Sequence, residues 1–472
     1  MGAVMNKQVE KVELLVQNRP GVLNRVVGHI RHEGWNIKSL NVDETDEPGV
    51  SLMQIAVEGL HTKLAQVVER MLQLDCVQSV SILREGRVLK KERAQSTPLQ
   101  AQAPSVRQMP PQKRAGSFRI LTINPGSTST KFAVYDDEEP IFTHTIRYDR
   151  GQLDACGTIL GQRQLRTEGM VSELNAYGID IAQIDAIAGR GGLIRPIESG
   201  TYLINDAMLE DLHSAAAAVH ASALGAIIAG DIAAKHGMPA YVVDPIVVDE
   251  MDPYAKLTGM PGVQRASVFH ALNQKVIARR LALQMGMAYE NARFIVAHMG
   301  GGITIGAHRY GRVIDVNDAL SGEGPFTPER TGKVPALPLI DMCFSGEYTK
   351  QEMVEKITKA GGMQGYLGTN DLTSAQRMIS EGDEFAALVV DSMAYQVAKE
   401  IGAMAAVLEF RVDAIVLTGG LAYSNRFTGA IKNRVDALAK VHVFPGEDEM
   451  LALASGVLGV LRGAQSAMHY GQ

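Results

Sequence analysis

The sequence predicts an α/β protein in which two related halves face each other across a cleft, preceded by a separate βαββαβ module. Three observations carry this reading. A glycine-rich loop follows a short apolar strand twice: Asn124-Pro125-Gly126-Ser127-Thr128-Ser129-Thr130-Lys131 after residues 118–123, and His298-Met299-Gly300-Gly301-Gly302 after residues 294–297. Each loop leads into a second strand, a polar turn and a third strand (131–135 then 141–147; 303–308 then 313–316), which is one supersecondary unit used twice. Finally, charged and then Gln-, Pro- and Ala-rich sequence from about Arg84 to Arg114 sets off a shorter block that has its own apolar pattern.

In that shorter block, residues 9–16 alternate apolar positions as a strand does. Asn18-Arg19-Pro20-Gly21 breaks it. Val22, Leu23, Val26, Val27 and Ile30 then share one face of a helix over 22–33, and Gly34 ends that helix. A strand at 37–42, a strand at 51–57, a helix at 64–74 and a strand at 77–83 complete the order βαββαβ, a two-layer sandwich. The expected division is a small domain over 8–84, a flexible linker over 85–116 and an α/β region over 117–472. Within the last, residues 413–417 form a strand running into Thr418-Gly419-Gly420-Leu421-Ala422-Tyr423-Ser424-Asn425, a third glycine turn. Residues 215–234 are apolar but interrupted by His220, Ser222 and Asp231, which predicts a buried helix rather than a membrane span.

The chain has 472 residues, enough for two or three cores, 46% hydrophobic residues and a formal charge of −6. That charge gives no reason to expect nucleic acid or an anionic membrane as partner. Cys76, Cys156 and Cys343 are few, odd in number and widely spaced, which suits reduced thiols in a cytoplasmic protein better than disulfides or a zinc site. The first residues lack the apolar core of a signal peptide. Backbone amides in the glycine turns can surround phosphate oxygens, and no Gly-x-x-x-x-Gly-Lys-Ser/Thr P-loop is present. Two such loops on facing halves predict an ATP-dependent phosphotransferase.

The motif Asn18-Arg19-Pro20-Gly21-Val22-Leu23-Asn24-Arg25, with Gly34-Trp35-Asn36-Ile37-Lys38-Ser39-Leu40, resembles an ACT domain, in particular that of the small regulatory subunit of acetohydroxyacid synthase. The resemblance implies an amino-acid site at Asn18, Gly21, Val22 and Leu23, with Asn36 and Ile37 near by. It also implies pairing of chains into a homo-oligomer; a dimerisation module without ligand is the plainer reading.

Residues 118–472 resemble the butyrate kinases of the acetate and sugar kinase/Hsp70/actin superfamily. The resemblance is carried by Asn124–Lys131, Gly189-Arg190-Gly191-Gly192-Leu193, Val243-Asp244-Pro245, Phe269-His270-Ala271-Leu272-Asn273-Gln274-Lys275, His298–Gly302, and Gly322-Glu323-Gly324-Pro325-Phe326-Thr327-Pro328-Glu329-Arg330. It implies duplicated actin-like ATPase (ribonuclease H-like) domains with the active site between them. The implied reaction is reversible phosphoryl transfer between ATP and butyrate or a branched short-chain acid, giving ADP and an acyl phosphate. A carboxylate and a triphosphate repel, so such a site needs permanent cations, and Arg190 and Arg330 qualify. The resemblance makes Arg190, Asp244, His270 and Arg330 catalytic. It assigns Asn124, Gly126, Ser127, Ser129 and Lys131 to the phosphates and Mg²⁺, with Asn124 the candidate metal ligand. His298, Gly300, Gly301 and Gly302 would cradle the nucleotide, and Gly419 and Gly420 would border the adenosine. Tyr423 stands where acetate kinases carry a metal-holding glutamate, so Asp244 or the phosphates and water would have to serve. Taken singly, an arginine or histidine of this kind is ordinarily a structural residue, and Glu447-Asp448-Glu449 reads as a solvated helix start. Acetate or propionate kinase activity, or a non-catalytic nucleotide-binding amino-acid sensor, are the competing expectations.

Overall fold

The computed structural model describes residues 9–17, 22, 26, 36–45, 49–58, 77–84, 87–92, 112–214 and 221–471. The chain divides into two compact units, Met1–Ser105 and Val106–Gln472.

The first unit holds an antiparallel five-stranded sheet in the order β2-β3-β1-β4-β5, from β1 (Val9–Gln17), β2 (Asn36–Glu44), β3 (Val50–Glu58), β4 (Val77–Arg84) and β5 (Arg87–Glu92). On β1, Val12, Leu14 and Val16 alternate into a core shared with Met53, Ile55, Val57, Val77 and Val80. Val22 and Val26 are helical, one turn apart and buried in the same core, as the predicted apolar face of the first helix requires. The second predicted helix, over 64–74, lies outside the described residues. β5 corrects the expected linker start: residues 87–92 pair with β4 in register from Arg84↔Arg87 to Ser79↔Glu92. Its charged composition reads as linker, yet an edge strand needs only backbone partners on one side, and charge on an edge discourages pairing with another chain.

The second unit contains two sheets built to one plan. The first takes the order β17-β10-β11-β9-β6-β7-β8 and the second β14-β13-β12-β15-β16. Their strands are β6 (Arg119–Pro125), β7 (Ser129–Asp136), β8 (Glu139–Arg147), β9 (Ala186–Gly189), β10 (Thr201–Leu203), β11 (Ala240–Val243), β12 (Arg293–Met299), β13 (Ile303–Arg309), β14 (Arg312–Val316), β15 (Ala414–Gly419), β16 (Val441–Pro445) and β17 (Met468–His469). In each sheet three antiparallel strands are followed by two parallel ones: β6 pairs with β7 and then β9, β12 with β13 and then β15. The repeat seen in the sequence is therefore a repeat of topology.

Both sheets are covered on both faces. On β12, Ile295, Ala297 and Met299 face a core with α4 (Glu384–Val407) and α5 (Asn425–Val435), while Phe294 and Val296 face α3 (Ala271–Gln284). On β6, Leu121 and Ile123 face α1 (Arg163–Ala176) and α2 (Ala223–His236), while Ile120 faces α6 (Glu449–Leu461). α3 and α6 are exchanged: α3 follows the strands β6–β11 of the first sheet in sequence and packs on the second, and α6 follows the second and packs on the first. The buried helix expected at 215–234 is α2, beginning at Ala223 and stopped by Gly237 in the left-handed region (φ 70°); residues 215–220 lie outside the described residues. No helix among the described residues is long and apolar enough to cross a membrane.

Candidate active site

Strand ends, tight turns and the starts of the exchanged helices bring the site together. The first loop joins β6 to β7, with Pro125 paired to Thr130 and Gly126 N donating to Ser129 O at 2.8 Å. The second joins β12 to β13, with Met299 paired to Ile303 and Gly300 N donating to Gly302 O at 3.0 Å. These are equivalent corners of the two repeats. Arg166 on α1, fully buried, clamps the first loop: it donates to Ser127 O (3.1 Å), Ser129 O (2.7 Å) and Thr130 Oγ1 (2.9 Å). Sequence reading passed over it because nothing local ties a helical arginine to a turn so far away.

Asn124 closes β6. Its Nδ2 donates to Glu449 Oε2 at 2.5 Å, and its Oδ1 accepts from Arg190 Nη1 at 3.1 Å. Arg190 Nη1 also lies 3.3 Å from Glu449 Oε2. Glu449, only 8% exposed, opens α6, where the helix dipole favours a carboxylate. The acidic run expected to be solvated is therefore divided: Glu449 belongs to the cleft, Glu447 Oε1 lies 3.2 Å from His298 Nε2, and Asp448 pairs with Arg280 at the surface. The bond from His298 holds the Glu447 carboxyl below its usual range, and Arg190 and Lys131 act in the same direction.

His270 precedes α3, and its ring stacks on His298 with centroids 3.9 Å apart. Although one edge of His270 reaches the cleft, the protein packed around it pushes its pKa well below the ordinary value, aided by the charges of His298, Arg190 and Arg330. Arg330 donates to Ala319 O at 2.7 Å through Nη1, but its buried Nε has no protein partner. Burial lowers its pKa, and an arginine stays charged through such a shift. Thr327 Oγ1 donates to Gly301 O (2.7 Å) and accepts from Arg330 N (3.0 Å), tying this arginine to the second glycine loop. A Cβ at Gly302 would lie 2.4 Å from Arg330 Nη1 and 3.4 Å from His270 Cε1, so any larger residue would have to displace the Arg330 guanidinium from this position.

A cavity of about 450 Å³ is lined by Gly300, Gly301, Gly420, Tyr423, Gln376 and Asp371, among others. Gly419, beside it, has φ 91°, and a Cβ there would lie 2.4 Å from Met299 O. Thus Gly300, Gly301 and Gly420 meet at one cavity, and Asn124, Arg190, His270, His298, Gly302 and Arg330 meet along the adjoining cleft. Gly126, Ser127, Ser129 and Lys131 lie on and just after the first loop. Asp244 is buried with φ 37°, but it bonds Ser199 Oγ (2.6 Å) and Gly200 N (2.9 Å) and lies 3.6 Å from Arg279 rather than touching the other expected site residues. In the first unit, the Val22 side chain is core, Ile37 is partly buried against that core, Asn36 lies on β2, and Asn18, Gly21 and Leu23 fall outside the described residues.

No group of three or more His, Cys, Asp or Glu stands in metal-binding geometry among the described residues. Oxygen donors at the cleft include Asn124, Glu447 and Glu449, and the Glu329 carboxylate stands against Gly301. Such a set suits Mg²⁺, which takes one or two carboxylates and completes its shell with phosphates and water. Tyr423, 72% exposed, lines the cavity by Gly420 instead.

The buried histidines predict a pH dependence of stability. His308 is fully buried and, like His270, has its pKa pushed well below the ordinary value by burial. The unfolded chain takes up protons as pH falls through about 6.5 while the native state does not. Stability is therefore present above that pH and lost below it, at up to about 1.4 kcal/mol per pH unit for His308. Urea midpoints between pH 7 and 5 should fall, and His308→Gln should flatten the slope.

The Acetokinase family model matches residues 251–447, and the AHAS small subunit-like ACT domain model matches residues 12–79. The chain thus carries an acetokinase-family domain, which implies a phosphotransferase acting on a carboxylate, preceded by an ACT-like domain. Among solved structures, acetate kinase from Porphyromonas gingivalis is similar at TM-score 0.62 and 21% identity, covering 73% of this chain and 100% of that one. Propionate kinase from Francisella tularensis is similar at TM-score 0.57 and 20% identity, covering 72% and 98%. Acetate kinase from Entamoeba histolytica is similar at 0.59 and 17%, covering 72% and 98%. These likenesses show a shared fold.

Proposed function

We propose that this protein is a short-chain carboxylate kinase, moving the terminal phosphoryl group reversibly between ATP and butyrate or a branched short-chain acid. The observation that carries the reading is Arg330: a half-buried guanidinium whose buried Nε is unpartnered, set against His270 and Gly302 at the second glycine loop. Its open donors ask for an anion. In the forward direction a carboxylate oxygen attacks the γ-phosphorus as the bond to the β-phosphate oxygen breaks, so ADP leaves and an acyl phosphate forms. Charge spreads over the three equatorial oxygens, and fixed donors do most of the work. Arg190 and Arg330 offset the repulsion between the two anions. His270, neutral at pH 7, offers a hydrogen bond without proton transfer. The loops after Asn124 and His298 hold the phosphates, and the cavity beside Gly420 takes the nucleoside. Mg²⁺, when bound to the phosphates, draws charge from the transferring group, with Asn124, Glu449 and Glu447 as the residues that would hold it.

Butyrate or a branched acid is favoured by the motif resemblance. The ACT-like domain supports an amino-acid effector, a branched-chain one being coherent with branched acids as substrates, and a homo-oligomer. The protein is proposed to act in the cytoplasm. The deciding assay is ADP release with ATP and Mg²⁺ across acids of two to six carbons, trapping acyl phosphate with hydroxylamine, with and without valine. Hydroxamate that peaks at four or five carbons supports the reading, and a peak at two or three makes it an acetate or propionate kinase. Saturable nucleotide and valine binding with no turnover on any acid overturns it in favour of a sensor.

A further inference from the structure

A hydrogen-bonded file of buried side chains runs from the body of the second sheet to the cleft. Tyr289 Oη lies 2.7 Å from His308 Nδ1, and His308 Nε2 lies 2.9 Å from Gln274 Oε1. Gln274 Nε2 lies 3.1 Å from Thr304 O and 2.8 Å from Thr304 Oγ1. Thr304 Oγ1 lies 3.0 Å from His270 Nδ1. Tyr289, His308, Gln274 and Thr304 are all buried.

The direction of every bond follows from one fixed point. Thr304 O is a carbonyl and only accepts, so the Gln274 atom facing it is the amide nitrogen, and that nitrogen also donates to Thr304 Oγ1. Gln274 Oε1 then accepts from His308 Nε2–H. His308 is neutral in its buried setting, so its Nδ1 is a lone pair and the Tyr289 hydroxyl donates to it. At the other end, Thr304 Oγ1 has accepted one proton and must place its own. The acceptor in reach is His270 Nδ1; the reverse arrangement leaves a buried hydroxyl hydrogen without a partner.

We propose that Gln274 and Thr304 are positioning residues: this one-way chain of donors holds His270 in the tautomer whose proton sits on Nε2, the ring nitrogen with no protein partner, ready to donate into the cleft. The inference rests on the kinase reading for its purpose but not for its test.

The test is ¹⁵N NMR of the full chain carrying ¹⁵N-histidine, with the His270 signals identified by their loss in His270→Gln. The expected result is a protonated Nε2 and an unprotonated Nδ1. Thr304→Val, which keeps shape and loses the hydroxyl, removes the donor that fixes the tautomer, so an Nδ1-protonated form should become populated beside the Nε2-protonated one, and kcat should fall about 10–100-fold with KM for ATP little changed. Thr304→Ser should restore both. If Thr304→Val does not fold, Gln274→Glu serves: an accepting oxygen turns the Thr304 hydroxyl away, so His270 must donate from Nδ1. A protonated Nδ1 in the wild type, or a tautomer unmoved in these variants, overturns the proposal. A wild type that turns over no acid defeats the kinase reading while the NMR result still decides this one.

Discussion

Arg330→Ala should lower kcat about 10²–10³-fold, the range expected when one fixed donor to a developing charge is lost, while the protein stays as stable as before or gains stability. The two halves of this expectation share one cause. The Arg330 side chain is half-buried, bonds only Ala319 O through Nη1, and leaves its buried Nε unsatisfied. The charges of Glu329 and Asp318 offset only part of its desolvation, and burial still wins, so the folded protein loses little when it goes. The transition state loses a forked cation. Arg330→Lys should recover little, because a compact ammonium on a flexible stem does not reproduce the planar fork. Steady-state kinetics beside a urea titration check this. A variant that loses stability and activity together would make Arg330 a structural residue.

Glu449→Gln is the second large effect. Glu449 takes a hydrogen bond from Asn124 and an ion pair from Arg190 at the start of α6. The neutral amide keeps the shape but leaves Arg190 without its anion and removes the most buried carboxylate from the candidate Mg²⁺ donors. We expect a kcat lower by about 10²-fold, as for a misaligned reacting group, and a higher Mg²⁺ concentration for half-maximal rate. Asp448→Asn, one residue earlier and paired with Arg280 at the surface, should stay within about twofold. Rates of Glu449→Gln that match the wild type at every Mg²⁺ concentration would remove it from the machinery.

The contrast between Glu449 and Asp448 shows what was legible in the sequence and what was not. The topological repeat and all three glycine turns could be read because each is local: a strand pattern, a turn, a second strand. Glu449 could not, since what distinguishes it from a solvated residue at a helix start is Asn124, 325 positions away in the chain. Arg166 and Thr304 were missed for the same reason; an arginine on a helix and a threonine in an apolar strand carry no mark of the partners that folding brings. Asp244 was legible through its motif, but the partners that hold it, Ser199, Gly200 and Arg279, were not. β5 was misread because edge strands tolerate a composition that resembles a linker.

The exchange of α3 and α6 has a consequence for how the chain is made. During synthesis the first sheet emerges early, yet one of its faces waits for α6, which begins at Glu449. Its strand β10 waits longer, for the edge strand β17 at Met468 and His469, and the Arg195 loop waits for the Tyr470 hydroxyl. The first half cannot be completed on the ribosome before residues 449–470 have been translated. A nonsense mutation anywhere ahead of Glu449 strips α6 from the first half, so no such truncated product should retain that half intact, and in the full chain the two halves should melt in a single transition despite their repeated topology.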